Sequence, residues 1–71
     1  MSMTIAVGTR AIALLRQSPI PALRKLCVEE SEDAVVILGC VSSYYLKQLA
    51  QETVMPVIDG RQLVNRVNVA R

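Results

Sequence analysis

Two cysteines, Cys27 and Cys40, are the side chains of this 71-residue sequence best suited to act as nucleophiles or as ligands of a soft metal. The chain has no histidine, so a cysteine nucleophile would need a different general base. A zinc site needs about four nitrogen or sulfur ligands, which two cysteines cannot supply. Both cysteines stand among aliphatic residues of predicted strands, so we expect buried or half-buried thiols without a chemical role.

A run of acidic residues lies between the cysteines, where Glu29, Glu30, Glu32 and Asp33 crowd together. Their spacing is not that of a calcium-binding loop, and a charge run of this kind usually forms a solvated turn. The glycines show neither phosphate-binding nor dinucleotide-binding spacing. We therefore predict that the protein is not an enzyme, and that it uses no cofactor, no bound metal and no small-molecule substrate.

The element that would position these residues is the uncharged run at residues 34–41, AVVILGCV. Its length and its content of β-branched residues predict a strand that is buried on both faces. An edge strand as apolar as this one would invite pairing with other chains. We therefore expect it to form the centre of a small sheet.

A neighbouring strand is predicted over residues 23–30, where Leu26 and Val28 alternate with Cys27 and Glu29. If the last two acidic residues form the tip of the turn, Val28 lies opposite Ile37 and Cys27 opposite Leu38. The two cysteines would then be diagonal neighbours, which is a poor geometry for a disulfide. The register divides the side chains into two faces, one with Leu26, Val28, Val35, Ile37 and Val41, the other with Cys27, Val36, Leu38 and Cys40.

Helical spacing of apolar residues predicts two helices. The first covers residues 5–17, and the two prolines that follow it would end it. Ser42 or Ser43 would cap the second helix, because a serine oxygen accepts the free amide hydrogens of a first turn. The apolar side of the second helix consists of Leu46, Leu49, Ala50, Thr53 and Val54.

A third strand is predicted by the alternation from Leu63 to Val69, after a turn at Asp59-Gly60. The element order is therefore α-β-β-α-β. The helical crossover would make the third strand parallel to the second, with both helices on one face. We predict an α+β fold: one domain over residues 1–71, with its core over about residues 8–70 and a three-stranded mixed sheet.

This pattern resembles the BON domain, a family named for bacterial osmotic-stress and nodulation proteins. The similarity covers about residues 10–70 and rests on two motifs on either side of a serine-led helix, Val35-x-Ile37-x-Gly39-x-Val41 after an acidic turn and Leu63-x-Asn65-x-Val67-x-Val69 near the end. Gly39 would suit a close approach to the sheet, and Asn65 a hydrogen-bonded corner near its edge. The resemblance implies attachment to phospholipid membranes, or a small ligand-binding or interaction module, without chemistry of its own.

Tyr44, Tyr45 and Lys47 are the predicted lipid-binding residues, because tyrosines beside a basic residue suit the headgroup layer of an anionic phospholipid surface. In the alternative, one tyrosine packs against the first helix and the other is simply exposed. The first helix is itself basic and amphipathic, which suits a membrane surface but more often serves to cover a sheet. Without a signal-peptide pattern or a run of ~18 apolar residues, we expect a cytoplasmic protein with peripheral membrane association.

Val36, Leu38 and Cys40 are the predicted partner-binding residues, since helices on the opposite face would leave them exposed together with Cys27 and Val64. A contiguous apolar patch usually marks a partner, a ligand or a self-association surface. The alternative function is therefore protein–protein interaction or homodimerisation through this face, unless the segment Met1 to Val7 folds across it. No nucleic-acid partner is predicted, because the basic residues lack an interleaved aromatic platform.

Overall fold

A computed structural model of the protein describes residues 10–70. Its centre is a three-stranded sheet of β1 (Cys27–Glu30), β2 (Ala34–Val41) and β3 (Gln62–Val69), in the order β1-β2-β3. β2 is antiparallel to β1 and parallel to β3. The predicted mixed sheet, with the uncharged run as its central strand, is confirmed, and the fold is α+β.

The register of the β1–β2 hairpin is the predicted one. Val28 pairs with Ile37, and Cys27 pairs with Leu38. The side chains that share a face with Ile37 are buried or half-buried, because the helices pack on that side. The turn at its tip is held by the hydroxyl of Ser31, which accepts from the Ala34 amide at 3.1 Å.

The strand before the turn is shorter than the sequence predicts. Instead of extending from residue 23, β1 begins at Cys27, and a short helix, α2 (Pro21–Arg24), precedes it. Pro21 stands at the start of α2, where its fixed φ suits a helix and its missing amide hydrogen costs nothing. Leu23 is buried in the core, but it belongs to α2 and not to a strand.

Two longer helices cover the sheet. The described part of the first, α1, spans residues 10–16, and the rest of the predicted range before residue 10 lies outside the described residues. The second, α3 (Tyr44–Val54), is capped by Ser43, whose Oγ accepts from the Leu46 amide at 3.3 Å. A single 3-10 turn, Met55–Val57, follows α3.

The core lies between the helices and one face of the sheet. It contains Ala11 and Leu15 of α1, Leu23 of α2, Leu26, Ile37 and Val41 of the hairpin region, Ala50 and Val54 of α3, and Val67 of β3. The predicted packing of both helices on the Ile37 face is therefore confirmed. All of these side chains are aliphatic, and none is larger than leucine or isoleucine. The stability of the fold therefore depends on their close packing.

Gly39 is required by the close approach of Leu26 to β2. Its φ is +136°, and a Cβ at this position would lie 2.6 Å from Cδ2 of Leu26. This agrees with the expected close approach at this glycine. The predicted turn before β3 is also present, because Asp59 and Gly60 have φ of 53° and 78° and the Arg61 amide donates to the Ile58 carbonyl at 3.0 Å.

Candidate functional site

The first turn of α3 carries the predicted lipid-binding residues Tyr44, Tyr45 and Lys47, and we call it the tyrosine turn. Tyr44 is 68% exposed and Tyr45 is 70% exposed. The alternative in which one tyrosine packs against the first helix is therefore wrong. Lys47, three positions after Tyr44 and so on the same side of the helix, is half-buried.

The tyrosine turn lies at the end of the sheet where β2 and β3 finish. The Ala70 amide donates to the Val41 carbonyl at 2.8 Å, which places the end of β3 beside the start of α3. Because β1 runs antiparallel to β2, it begins at this same end, and the exposed Lys25 stands just before it. Two lysines, Lys25 and Lys47, are therefore at the end of the domain that presents the tyrosines, and only Lys47 was predicted.

Asn65 fixes the tyrosine turn against the sheet. Its Nδ2 donates to the Lys47 carbonyl at 2.9 Å and to Oε1 of Gln51 at 3.4 Å. Its Oδ1 accepts from the Val67 amide at 3.2 Å. The hydrogen-bonded role expected for Asn65 is confirmed, and the same side chain joins α3 to the outer strand of the sheet.

The side of the sheet opposite the helices forms a second candidate surface, which we call the open face. It brings together the predicted partner-binding residues Val36, Leu38 and Cys40, because alternate residues of β2 point to the same side. Cys27 of β1 and Val64 of β3 flank them. Within residues 10–70, both helices pack on the other side of the sheet, so these five residues form a contiguous, largely apolar strip. The predicted exposure holds for the two cysteines, whereas Val36, Leu38 and Val64 are half-buried. The segment Met1 to Val7, the predicted alternative cover, lies outside the described residues.

The prediction that the cysteines are buried or half-buried is wrong. Cys27 and Cys40 are exposed free thiols. Both lie on the open face, and Cys27 also belongs to an edge strand, so none of the elements described between residues 10 and 70 encloses either side chain. Their diagonal placement is as predicted, because the partner of Cys27 is Leu38 rather than Cys40.

Two opposite charges border the open face, and the sequence analysis assigned neither a place there. Glu29 of β1 is level with Val36, and Arg66 of β3 is level with Leu38. Both side chains belong to exposed residues. The alternation of β1 and β3 was the signal for their position, but Glu29 was grouped with the acidic turn.

Glu30 departs from the prediction of a solvated acidic turn, whereas Glu32 and Asp33 are exposed as expected. The Glu30 side chain is 5% exposed, and its Oε1 lies 2.6 Å from Nη1 of Arg61, whose side chain is 9% exposed. Glu30 is two residues after Val28, so the strand turns it toward the helix-covered side. The remaining carboxylate oxygen, Oε2, is buried and has no hydrogen-bond partner among residues 10–70.

Two features of residues 10–70 bear on membrane and metal binding. None of the described helices is long and apolar enough to cross a membrane. No group of three or more His, Cys, Asp or Glu side chains is arranged to hold a metal ion in this part of the chain.

Comparison of the chain with models of protein families, with curated proteins and with solved structures finds no match. The similarity to BON domains therefore rests on the residue pattern quoted above.

Proposed function

We propose that the protein is a non-enzymatic module of the BON type that attaches to anionic phospholipid surfaces through the tyrosine turn. The observation that carries the proposal is the exposure of two successive tyrosines, Tyr44 at 68% and Tyr45 at 70%, on a capped first helical turn. Tyrosine rings are amphipathic and are enriched at the boundary between hydrocarbon and water.

The electrostatics of the same end of the domain favour a negatively charged surface. Lys25 and Lys47 lie at the same end of the domain as the tyrosines, and a lysine keeps its ammonium group in water while its stem covers apolar surface. A basic residue close to an anionic membrane contributes about 1 kcal/mol, and salt screens this attraction. Two lysines and two rings give a weak, salt-sensitive attachment, suited to reversible contact.

The rigidity of the tyrosine turn supports the same proposal. Ser43 caps the helix, and Asn65 holds the Lys47 carbonyl from the sheet. The tyrosines are therefore presented from an ordered turn, and binding does not first have to order that backbone. We propose that the protein acts in the cytoplasm and associates with the membrane peripherally.

Vesicle co-sedimentation tests the proposal directly. The intact chain should pellet with vesicles of phosphatidylcholine and phosphatidylserine, and not with phosphatidylcholine alone, at low salt and more weakly at physiological salt. The combined substitution Tyr44→Ala, Tyr45→Ala and Lys47→Glu should abolish pelleting. Met55→Ala is the matched control, because it removes an exposed apolar side chain from the other end of α3.

Two results would contradict lipid attachment. One is the absence of pelleting with anionic vesicles even at low salt. The other is equal loss of pelleting in the Met55→Ala protein, which would show that general surface apolarity, and not the tyrosine turn, brings the chain down. Circular dichroism of each variant shows whether the fold is retained.

A further inference from the structure

Six side chains of the open face form a grid across the three strands. The strand register puts them in two rows, one of Glu29, Val36 and Val64 and the other of Cys27, Leu38 and Arg66. The acid and the base occupy opposite corners of this grid. The other diagonal runs from Cys27 to Val64 and passes between the two central apolar residues, so it carries no charge.

A surface of this kind is complementary to itself. A two-fold axis that lies in the contact plane, perpendicular to the line from Glu29 to Arg66, exchanges the two charged corners. Glu29 of one copy then faces Arg66 of the second copy, and the reverse contact forms at the same time. The axis runs close to the uncharged diagonal, so Val36, Leu38 and Val64 meet their own counterparts.

We propose that the open face binds the open face of a second copy of this chain, forming a two-fold symmetric dimer. Strands lie about 4.8 Å apart and rise about 3.3 Å per residue. With these spacings, placing Glu29 of each copy against Arg66 of the other makes the strands of the two copies cross at roughly 70°. This is close to the orthogonal class of sheet packing. The dimer does not depend on lipid attachment, although it would join two tyrosine turns in one particle.

Pairing with a second copy through the β3 edge is disfavoured in the middle of that strand, where the outward-pointing amide already has a partner. The Gln62 amide donates to the Asp33 carbonyl and the Ala70 amide to Val41, so the even-numbered amides of β3 point toward β2. The odd-numbered amides point outward, and Asn65 Oδ1 caps the one in the middle, that of Val67. A capped amide cannot pair with another strand.

Charge exchange is the decisive experiment, because both charged residues are exposed and we therefore expect their substitution to leave the fold intact. Sedimentation equilibrium at low salt should give twice the 7.8 kDa of one chain. Glu29→Arg alone and Arg66→Glu alone should each weaken the dimer by about tenfold or more, since each places like charges in contact twice. An equimolar mixture of the two variants should restore it, and so should the double variant.

The thiols give a second, independent measurement. Cys27 lies near the proposed axis, whereas Cys40 lies at the far end of the face, so a short bismaleimide should cross-link two chains through Cys27. Cys27→Ser should abolish the cross-link, and Cys40→Ser should leave it unchanged. Cys27 should also react more slowly with a bulky maleimide, which is too large to enter the contact, as protein concentration rises.

Several outcomes would overturn the dimer. A monomer at millimolar concentration with freely reactive thiols leaves the face open. A monomer whose thiols are protected at every concentration indicates that residues 1–9 cover the face. A dimer that ignores the charge exchanges, or that cross-links through Cys40, pairs by a different surface or geometry. Thiol protection that appears only with anionic vesicles would assign the face to lipid.

Discussion

Oε1 of Glu30 lies 2.6 Å from Nη1 of Arg61, and both side chains are almost completely buried. The same guanidinium donates to the carbonyls of Ile58 and Val57, each at 2.7 Å. One arginine therefore joins the end of β1 to the segment that leads from α3 into β3. Glu30 and Arg61 are thirty-one positions apart in the chain. Their ion pair therefore holds the end of the helical crossover against the β1–β2 hairpin.

Removing Arg61 should destabilise the fold strongly. Arg61→Met leaves the Glu30 carboxylate buried without a counter-charge, and the loss of one partner of a buried pair costs about 3–5 kcal/mol. Adding Glu30→Leu should recover most of this loss, because the double variant buries no charge. Urea denaturation of the two single variants and the double variant measures the coupling free energy.

The exposed pair of Arg10 and Asp59 provides the control for this cycle. Their atoms are 3.4 Å apart and their side chains are 54% and 62% exposed. Arg10→Ala should change the free energy of unfolding by less than about 1 kcal/mol. Equal effects of the Arg10 and Arg61 substitutions would contradict the structural role of the buried pair.

Gly39→Ala should destabilise the protein through two causes. The φ of +136° is strained for any residue with a side chain, and the new Cβ would lie 2.6 Å from Leu26 Cδ2. The sum should be roughly 2–4 kcal/mol. Gly60→Ala is the comparison, because its φ is also positive but nothing lies within 4 Å of a Cβ there. It should cost only about 1 kcal/mol, and an equal loss at both positions would rule out the contact with Leu26.

Sheet topology and register were predictable because they depend on local patterns. The uncharged run from Ala34 to Val41 specified the central strand, and the alternation around Val28 and Ile37 left one register that separates the two faces. Ser43 was one of two candidates for the helix cap, and the structure selects it. These features need only neighbours in sequence or one strand pairing.

The errors about burial have a different origin, since they depend on what covers a side chain from a distance. Cys27 and Cys40 looked buried because their sequence neighbours are aliphatic, yet the described helices all pack on the opposite face. Glu30 looked solvated because it belongs to an acidic run, yet Arg61 reaches it from the far end of the crossover. A charge pattern in sequence does not show such a partner.

Asn65 should prove to have two separable roles. Asn65→Leu removes both the tie to α3 and the cap on the Val67 amide, so it should lower stability by roughly 1–3 kcal/mol and promote aggregation through the β3 edge. Asn65→Asp keeps an oxygen for the Val67 amide but replaces the donor to Lys47 with an acceptor. It should destabilise the fold while leaving the Val67 amide protected.

Hydrogen exchange distinguishes these two variants at a single amide. The exchange rate of the Val67 amide is compared, in each protein, with the rate of exchange through global unfolding. By this measure the amide should exchange slowly in the unchanged protein and in Asn65→Asp, and fast in Asn65→Leu. Light scattering on heating should rise first for Asn65→Leu. Fast exchange of Val67 in the unchanged protein would show that the cap does not protect this edge.

Tyrosine fluorescence offers a direct observation of the tyrosine turn. The chain contains two tyrosines and no tryptophan, so all of its intrinsic emission comes from Tyr44 and Tyr45. If these rings enter the headgroup layer of an anionic membrane, vesicles that carry brominated acyl chains should quench the emission, and vesicles of the same charge without bromine should not. Raising the salt concentration should reverse the quenching, because the lysines supply the attraction.

Tyr44→Phe and Tyr45→Phe, measured separately, would show whether both rings are in contact with the lipid. Binding of the protein to anionic vesicles without any quenching would mean that a surface other than the tyrosine turn faces the membrane.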